Sequence, residues 1–99
     1  MTTKTLWGVV NKDGSIKSSG GGFTITHQGN GEYIISFSPT FSATPSIVGS
    51  QVLYGQESEK PLDNVVFPFL NSSTATAFTG DSKGDQEDRS FSFIAIGPD

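Results

Sequence analysis

The sequence predicts an all-β fold, an antiparallel β-sandwich of about six to eight strands built from one domain over residues 1–99. Three observations carry the expectation. Runs of alternating apolar and polar residues are separated by turn signals every eight to twelve residues, as in a sandwich or barrel. No segment holds an apolar period of 3.6 over ten or more positions, as a helix would need. Ser and Thr occupy 14 and 10 positions and Gly 12, while charged residues make up only 16% of the chain. That vocabulary suits strands with uncharged polar faces and tight turns.

Taken in order, Thr5 to Val10 reads as the first strand. The Asp13-Gly14 pair then turns the chain into a short return over Ser15 to Ser18. Ser18 to Gly22 reads as a loop or bulge, because its glycines suit no strand interior. Phe23 to His27 alternates, with Phe23, Ile25 and His27 on one face and two threonines on the other. Gly29-Asn30-Gly31 is the clearest turn, and it leads into Glu32 to Ser38, where Tyr33, Ile35 and Phe37 share the core face. Pro39 and Pro45 bracket a connection, since neither can donate to a ladder. Ser46 to Tyr54 resumes as a strand, and Gly55 to Leu62 reads as an exposed loop. Asn64 to Leu70 is apolar but holds Pro68, which marks an edge or a bulge. Thr74 to Thr79 forms a short strand, and Gly80 to Asp88 an acidic loop. Ser90 to Gly97 closes the chain. There Phe91 and Phe93 oppose Ile94 and Ile96, so both faces need cover, as in a central strand or one set against a second subunit.

With no cysteine there is neither a disulfide nor a thiolate metal site. The net charge of −4, with six basic residues scattered along the chain, offers no phosphate-neutralising stripe. Nucleic acid is therefore not an expected partner. No apolar run approaches the roughly 20 residues that span a bilayer, so no membrane insertion is expected. The first residues lack a signal-peptide core, which leads to an expectation of cytoplasmic synthesis. Release by lysis or carriage on a virion or other particle would leave no trace in the sequence.

His27 is the only histidine. It lacks a nucleophile-elbow serine motif and reads as a half-buried residue at the rim of its sheet. No nucleophile or acid–base pair sits at a recognisable spacing, so neither an enzyme nor a cofactor is expected. Asp81, Asp85, Glu87 and Asp88 cluster in one loop. Oxygen-rich loops can hold calcium, but the spacing departs from an EF-hand, and Lys83 and Arg89 intervene. A solvated loop pinned by pairing of Arg89 with one of these acids is the plainer reading, and a bridge between subunits is another. Tyr33 belongs to the core by alternation. Trp7 and Tyr54 are aromatic rings with polar handles, suited to stacking on a sugar or to an interface. Trp7, Tyr54, Asp81, Asp85, Asp88 and Arg89 form the expected ligand-binding set, with no metal ligand among them.

Three stretches together, Gly8 to Ile16, Gly22-Phe23-Thr24 through Gly29 to Phe37, and Thr79 to Ser82 with Asp88 to Pro98, resemble a family of small bacterial, phage-tail-associated β domains. The segment Phe41-Ser42-Ala43-Thr44-Pro45-Ser46-Ile47 and the ending Phe93-Ile94-Ala95 are similar to H-type lectin domains. The lectin resemblance implies a six-stranded antiparallel sandwich that assembles as a trimer or hexamer and binds sugars near subunit boundaries. Together these lead to the expectation of a non-enzymatic, homo-oligomeric module that recognises a surface ligand, with a glycan as the leading class. The alternative is a structural oligomerisation or tip module of a phage-tail or fibre-like assembly.

Overall fold

The computed structural model describes residues 2–52 and 60–99; Tyr54 and most of the expected loop over 55–62 lie outside them. Among the described residues the chain is all-β, with eight strands and no helix. The strands are β1 (Thr3–Val10), β2 (Ile16–Ser19), β3 (Phe23–Gly29), β4 (Glu32–Phe37), β5 (Ser46–Gln51), β6 (Asn64–Leu70), β7 (Thr74–Gly80) and β8 (Phe91–Pro98). They form two antiparallel four-stranded sheets of order β2-β1-β8-β5 and β3-β4-β7-β6. The sequence reading ends β2 one residue early, at Ser18 rather than Ser19. Within the described residues β5 stops at Gln51.

Period-two alternation places the core between the sheets. Leu6, Gly8 and Val10 of β1 point inward, as do Phe91, Phe93 and Ala95 of β8. Tyr33, Ile35 and Phe37 of β4 face them together with Ala75, Ala77 and Thr79 of β7. Aromatic pairs stitch the two layers. Phe23 meets Phe93 edge-on at 5.0 Å between centroids and Tyr33 lies 5.2 Å from Phe91, while Phe37 meets Phe41 of the β4–β5 connection at 5.0 Å. Each fully buried ring of this kind contributes about 1.5–3 kcal/mol through the area it removes from water. Gly8 has no side chain for a spatial reason: a Cβ there would collide with the Phe23 ring.

Two turns hold the framework at one end. In the β1–β2 turn, Asp13 Oδ1 accepts from the amide and hydroxyl of Ser15 at 2.9 and 2.6 Å. These bonds hold the Asp13 carboxyl below its usual range. In the β3–β4 turn, Gly31 has φ +71, and a Cβ there would stand 2.6 Å from Thr79 O and 2.8 Å from Glu87 N. Glycine is needed both for the left-handed backbone and for the close approach of the 81–88 loop. Pro68 falls in a bulge between Val66 and Phe69 on β6, an edge strand, where the missing amide costs no ladder bond. β8 is central in its sheet, between β1 and β5.

Candidate functional site

The loop after β7 is shaped by its own backbone. Asp81 N donates to Asp85 O at 2.9 Å, Gly84 N donates to Asp81 O at 3.0 Å, and Gly80 bridges to Gln86. Asp81 Oδ1 accepts the amides of Lys83 and Asp85 at 2.9 and 3.0 Å. The Asp85 amide bond, reinforced by the Lys83 amide and the nearby cations, holds the Asp81 carboxyl below the usual range. Thr79 Oγ1 donates to Glu87 O at 2.6 Å, which anchors the loop's return.

This folded loop walls one side of an open cleft of about 370 Å³ on the outer face of the second sheet. Val66 and Phe78 are register partners on adjacent strands and form its apolar floor, with Leu62 beside them. Asn64, Asp81, Ser82 and Gln86 supply polar groups around it. The size lies within the 300–1,000 Å³ expected of small-ligand sites, as does the combination of an apolar base and a few polar groups. Gln51 supports the cleft from behind. It points inward from β5, and its Nε2 donates to Asn64 O at 2.6 Å and Gly80 O at 2.7 Å, joining the first sheet to the β6–β7 pair where the cleft opens.

Among the described residues of the expected ligand-binding set, Asp81 alone lines the cleft. Asp85 is exposed on the loop and contributes backbone bonds to Asp81. Asp88 turns the other way, toward the β3–β4 hairpin. Its Oδ1 accepts from Gly31 N at 2.7 Å and lies 2.8 Å from His27 Nε2. Burial alone would raise the Asp88 carboxyl, but the Gly31 amide and His27 outweigh it and hold the group below its usual range. Asn30 completes this clasp, donating to Gln86 O at 2.8 Å and accepting from Asp88 N at 3.2 Å. Trp7 sits on the outer face of the first sheet, across the sandwich from the cleft. Tyr54 lies outside the described residues.

Arg89 corrects one expectation. Its described ion-pair partner is Asp63, in the turn before β6, and not an acid of its own loop. Its Nη2 lies 3.6 Å from Asp63 Oδ2, and the Asp63 side chain is only 3% exposed. Lys60 N donates to the same Asp63 oxygen at 2.9 Å. The pair therefore straps the end of the acidic loop to the start of β6.

His27 is a partly covered rim residue stacked on Tyr33, with 4.7 Å between ring centroids and 9° between planes. Tyr33 is fully buried and donates to Lys12 O at 2.7 Å. Burial, with the Asp88 charge nearby, pushes its phenol up to about 12. The imidazole and carboxylate thus lock the β3–β4 hairpin to the 81–88 loop, and the phenol ties that hairpin to the β1–β2 turn. Among the described residues no three His, Asp or Glu side chains gather where an ion could be held.

Sequence reading missed Asn64, Val66, Phe78 and Gln86. Phe78 carried a usable signal, being the one large aromatic on the β7 face opposite Ala75, Ala77 and Thr79. The other three are joined to it only by strand pairing and the loop's fold. Searches of family models, curated proteins and solved structures return no match to this chain.

Proposed function

We propose that this protein is a non-enzymatic binding module whose cleft beside β6 and β7 takes a neutral carbohydrate displayed on a surface. The observation that carries the reading is the pairing of an apolar floor, Phe78 and Val66, with amide, hydroxyl and carboxylate groups on one rim. A pyranose presents that combination in reverse, a C–H face for the aromatic floor and hydroxyls for the rim. The second oxygen of Asp81 supports the reading, because both amide bonds from its loop fall on Oδ1. The net charge of −4 and the acids of the 81–88 loop disfavour sialylated or sulfated sugars, which would be repelled. The resemblance to H-type lectins points to the same ligand class.

A glycan array containing neutral and acidic sugars tests this, followed by calorimetric titration of any neutral hit. The expected result is binding to neutral glycans, lost in Phe78→Ala and weakened at least tenfold in Asn64→Ala. Folded protein that binds no neutral glycan, or binds one equally well after Phe78→Ala, would overturn the proposal.

A further inference from the structure

The outer face of the β2-β1-β8-β5 sheet differs from the rest of the surface. Cross-strand register sets Trp7, Ile94 and Val48 in one row over three adjacent strands, with Ile96 beside them between Thr5 and Ser46. All four apolar side chains are open to solvent, from 42% at Trp7 to 64% at Val48. The remaining outward positions of β1, β8 and β5 hold Thr, Ser, Val and Pro, with no Asp, Glu, Lys or Arg. Trp7, Ile94 and Ile96 lie on the two interior strands, Val48 carries the row out to edge strand β5, and the hydroxyls of Thr3, Thr5, Ser46, Ser50 and Ser92 surround it. The outer face of the other sheet lacks this neutrality, carrying Glu32 beside Phe78 and the Asp81 loop.

We infer that this face is the interface on which two copies of the chain pair, sheet against sheet. Charge selects the occupant. Two molecules of net charge −4 repel each other through most of their surfaces. The β1-β8-β5 part of this face, without a charged outward side chain, is where they can meet without like charges opposed; Lys17 lies beside it on edge strand β2. Depletion of charge from the centre, with polar residues at the margin, is the compositional mark of an interface. The area suits a second copy too. Strands of four to eight residues, four abreast, cover roughly 400 Å² in projection. Side-chain relief brings the accessible area toward the roughly 800 Å² that each partner contributes to a standard interface. The contact is isologous, because the same patch serves both partners, and it closes as a dimer. It stands independently of the carbohydrate reading, which concerns the opposite face.

Sedimentation velocity from about 1 to 500 μM, read together with emission from Trp7, the chain's one tryptophan, tests the inference. The expected result is a species of twice the 10.5 kDa chain mass at high concentration, with a blue shift of Trp7 emission that follows dimer formation. Val48→Lys, on edge strand β5, should weaken pairing at least tenfold, as should Thr5→Lys, which removes no apolar group. Phe69→Lys, on the other sheet, should leave pairing unchanged. A chain that stays monomeric to 500 μM would overturn the inference. So would a trimer, or a dimer indifferent to both Val48→Lys and Thr5→Lys. A Trp7 shift that appears only on adding a glycan to monomeric protein would also overturn it, giving the face to a ligand.

Discussion

Replacing Arg89 by Met separates a buried charge from its partner at the point where the acidic loop is strapped to β6. The methionine fills much of the space of the arginine stem, so the loss is chiefly electrostatic. Among the described residues, Asp63 is left 97% enclosed with one amide bond, from Lys60. Removing one partner of a fully buried pair typically costs about 3–5 kcal/mol, most of it the penalty of the charge left behind. Here the guanidinium is 22% exposed and the contact is 3.6 Å long, so the expected cost falls below that range, at about 2–3 kcal/mol. For a chain of this size that corresponds to roughly 10–20 °C in Tm. The companion change Asp63→Asn keeps a carbonyl oxygen for Lys60 N while discarding the charge. Asp63→Asn/Arg89→Met should therefore recover most of the loss and fall within about 1 kcal/mol of the parent. Urea unfolding of the four proteins closes the cycle. A double variant as unstable as Arg89→Met, or an Arg89→Met protein within about 0.5 kcal/mol of the parent, would refute this account of the strap.

Two further outcomes follow from the hairpin clasp. Tyr33→Phe should cost about 1 kcal/mol in urea unfolding at pH 7 through loss of the bond to Lys12 O. Because the phenol is raised to about 12 in the fold against about 10 in an unfolded chain, its ionisation favours unfolding. Stability should fall as pH rises above about 10, and fall less steeply in Tyr33→Phe. Asp88 behaves in the opposite sense: its folded pKa is depressed, so its contribution is present above the unfolded value of about 3.9 and is lost as pH drops below it. Denaturation midpoints measured from pH 6 to pH 2.5 should decline in the parent and decline less in Asp88→Asn, which retains an oxygen for Gly31 N; equal slopes would count against the clasp.

Local pattern made the hairpins and the core face of β4 legible, because alternation over Tyr33, Ile35 and Phe37 is a period-two signal that tertiary context did not override. β1 was harder. Leu6, Gly8 and Val10 are no more apolar than Trp7 and Val9, so composition could not say which set faced inward. The Phe23 ring decides it, since it fills the space above Gly8 and leaves Trp7 outside. The cleft was legible only in fragments. Phe78 could be assigned outward from its small neighbours, but its meeting with Val66 depends on β6–β7 register, with a bulge at Pro68 that shifts the pairing. Asp63 and Arg89 meet because one precedes β6 and the other precedes β8, in different sheets. No spacing rule encodes that approach. The acidic run looked like one site and is two. Asp81 faces the cleft and Asp88 the hairpin, because the loop folds back on itself between them.

The two proposed surfaces lie on opposite sides of one sandwich, and that arrangement has a mechanical consequence when both operate. Pairing through the β2-β1-β8-β5 face stacks four sheets, with the two cleft-bearing sheets outermost. At about 10 Å between packed sheets, the clefts stand roughly 30 Å apart and face away from each other. Such a dimer cannot set both clefts on one flat surface, so multivalent gain on a single surface is excluded by geometry. It can bridge two surfaces. The expected behaviour is cross-linking of beads coated with a neutral glycan that the protein binds, with little gain in affinity as glycan density on a single chip rises. Val48→Lys should retain monomeric binding in calorimetry and lose cross-linking, whereas Phe78→Ala should lose both. Strong density-dependent affinity on one surface, or cross-linking that survives Val48→Lys, would mean that the clefts point the same way and that the subunits meet through some other face.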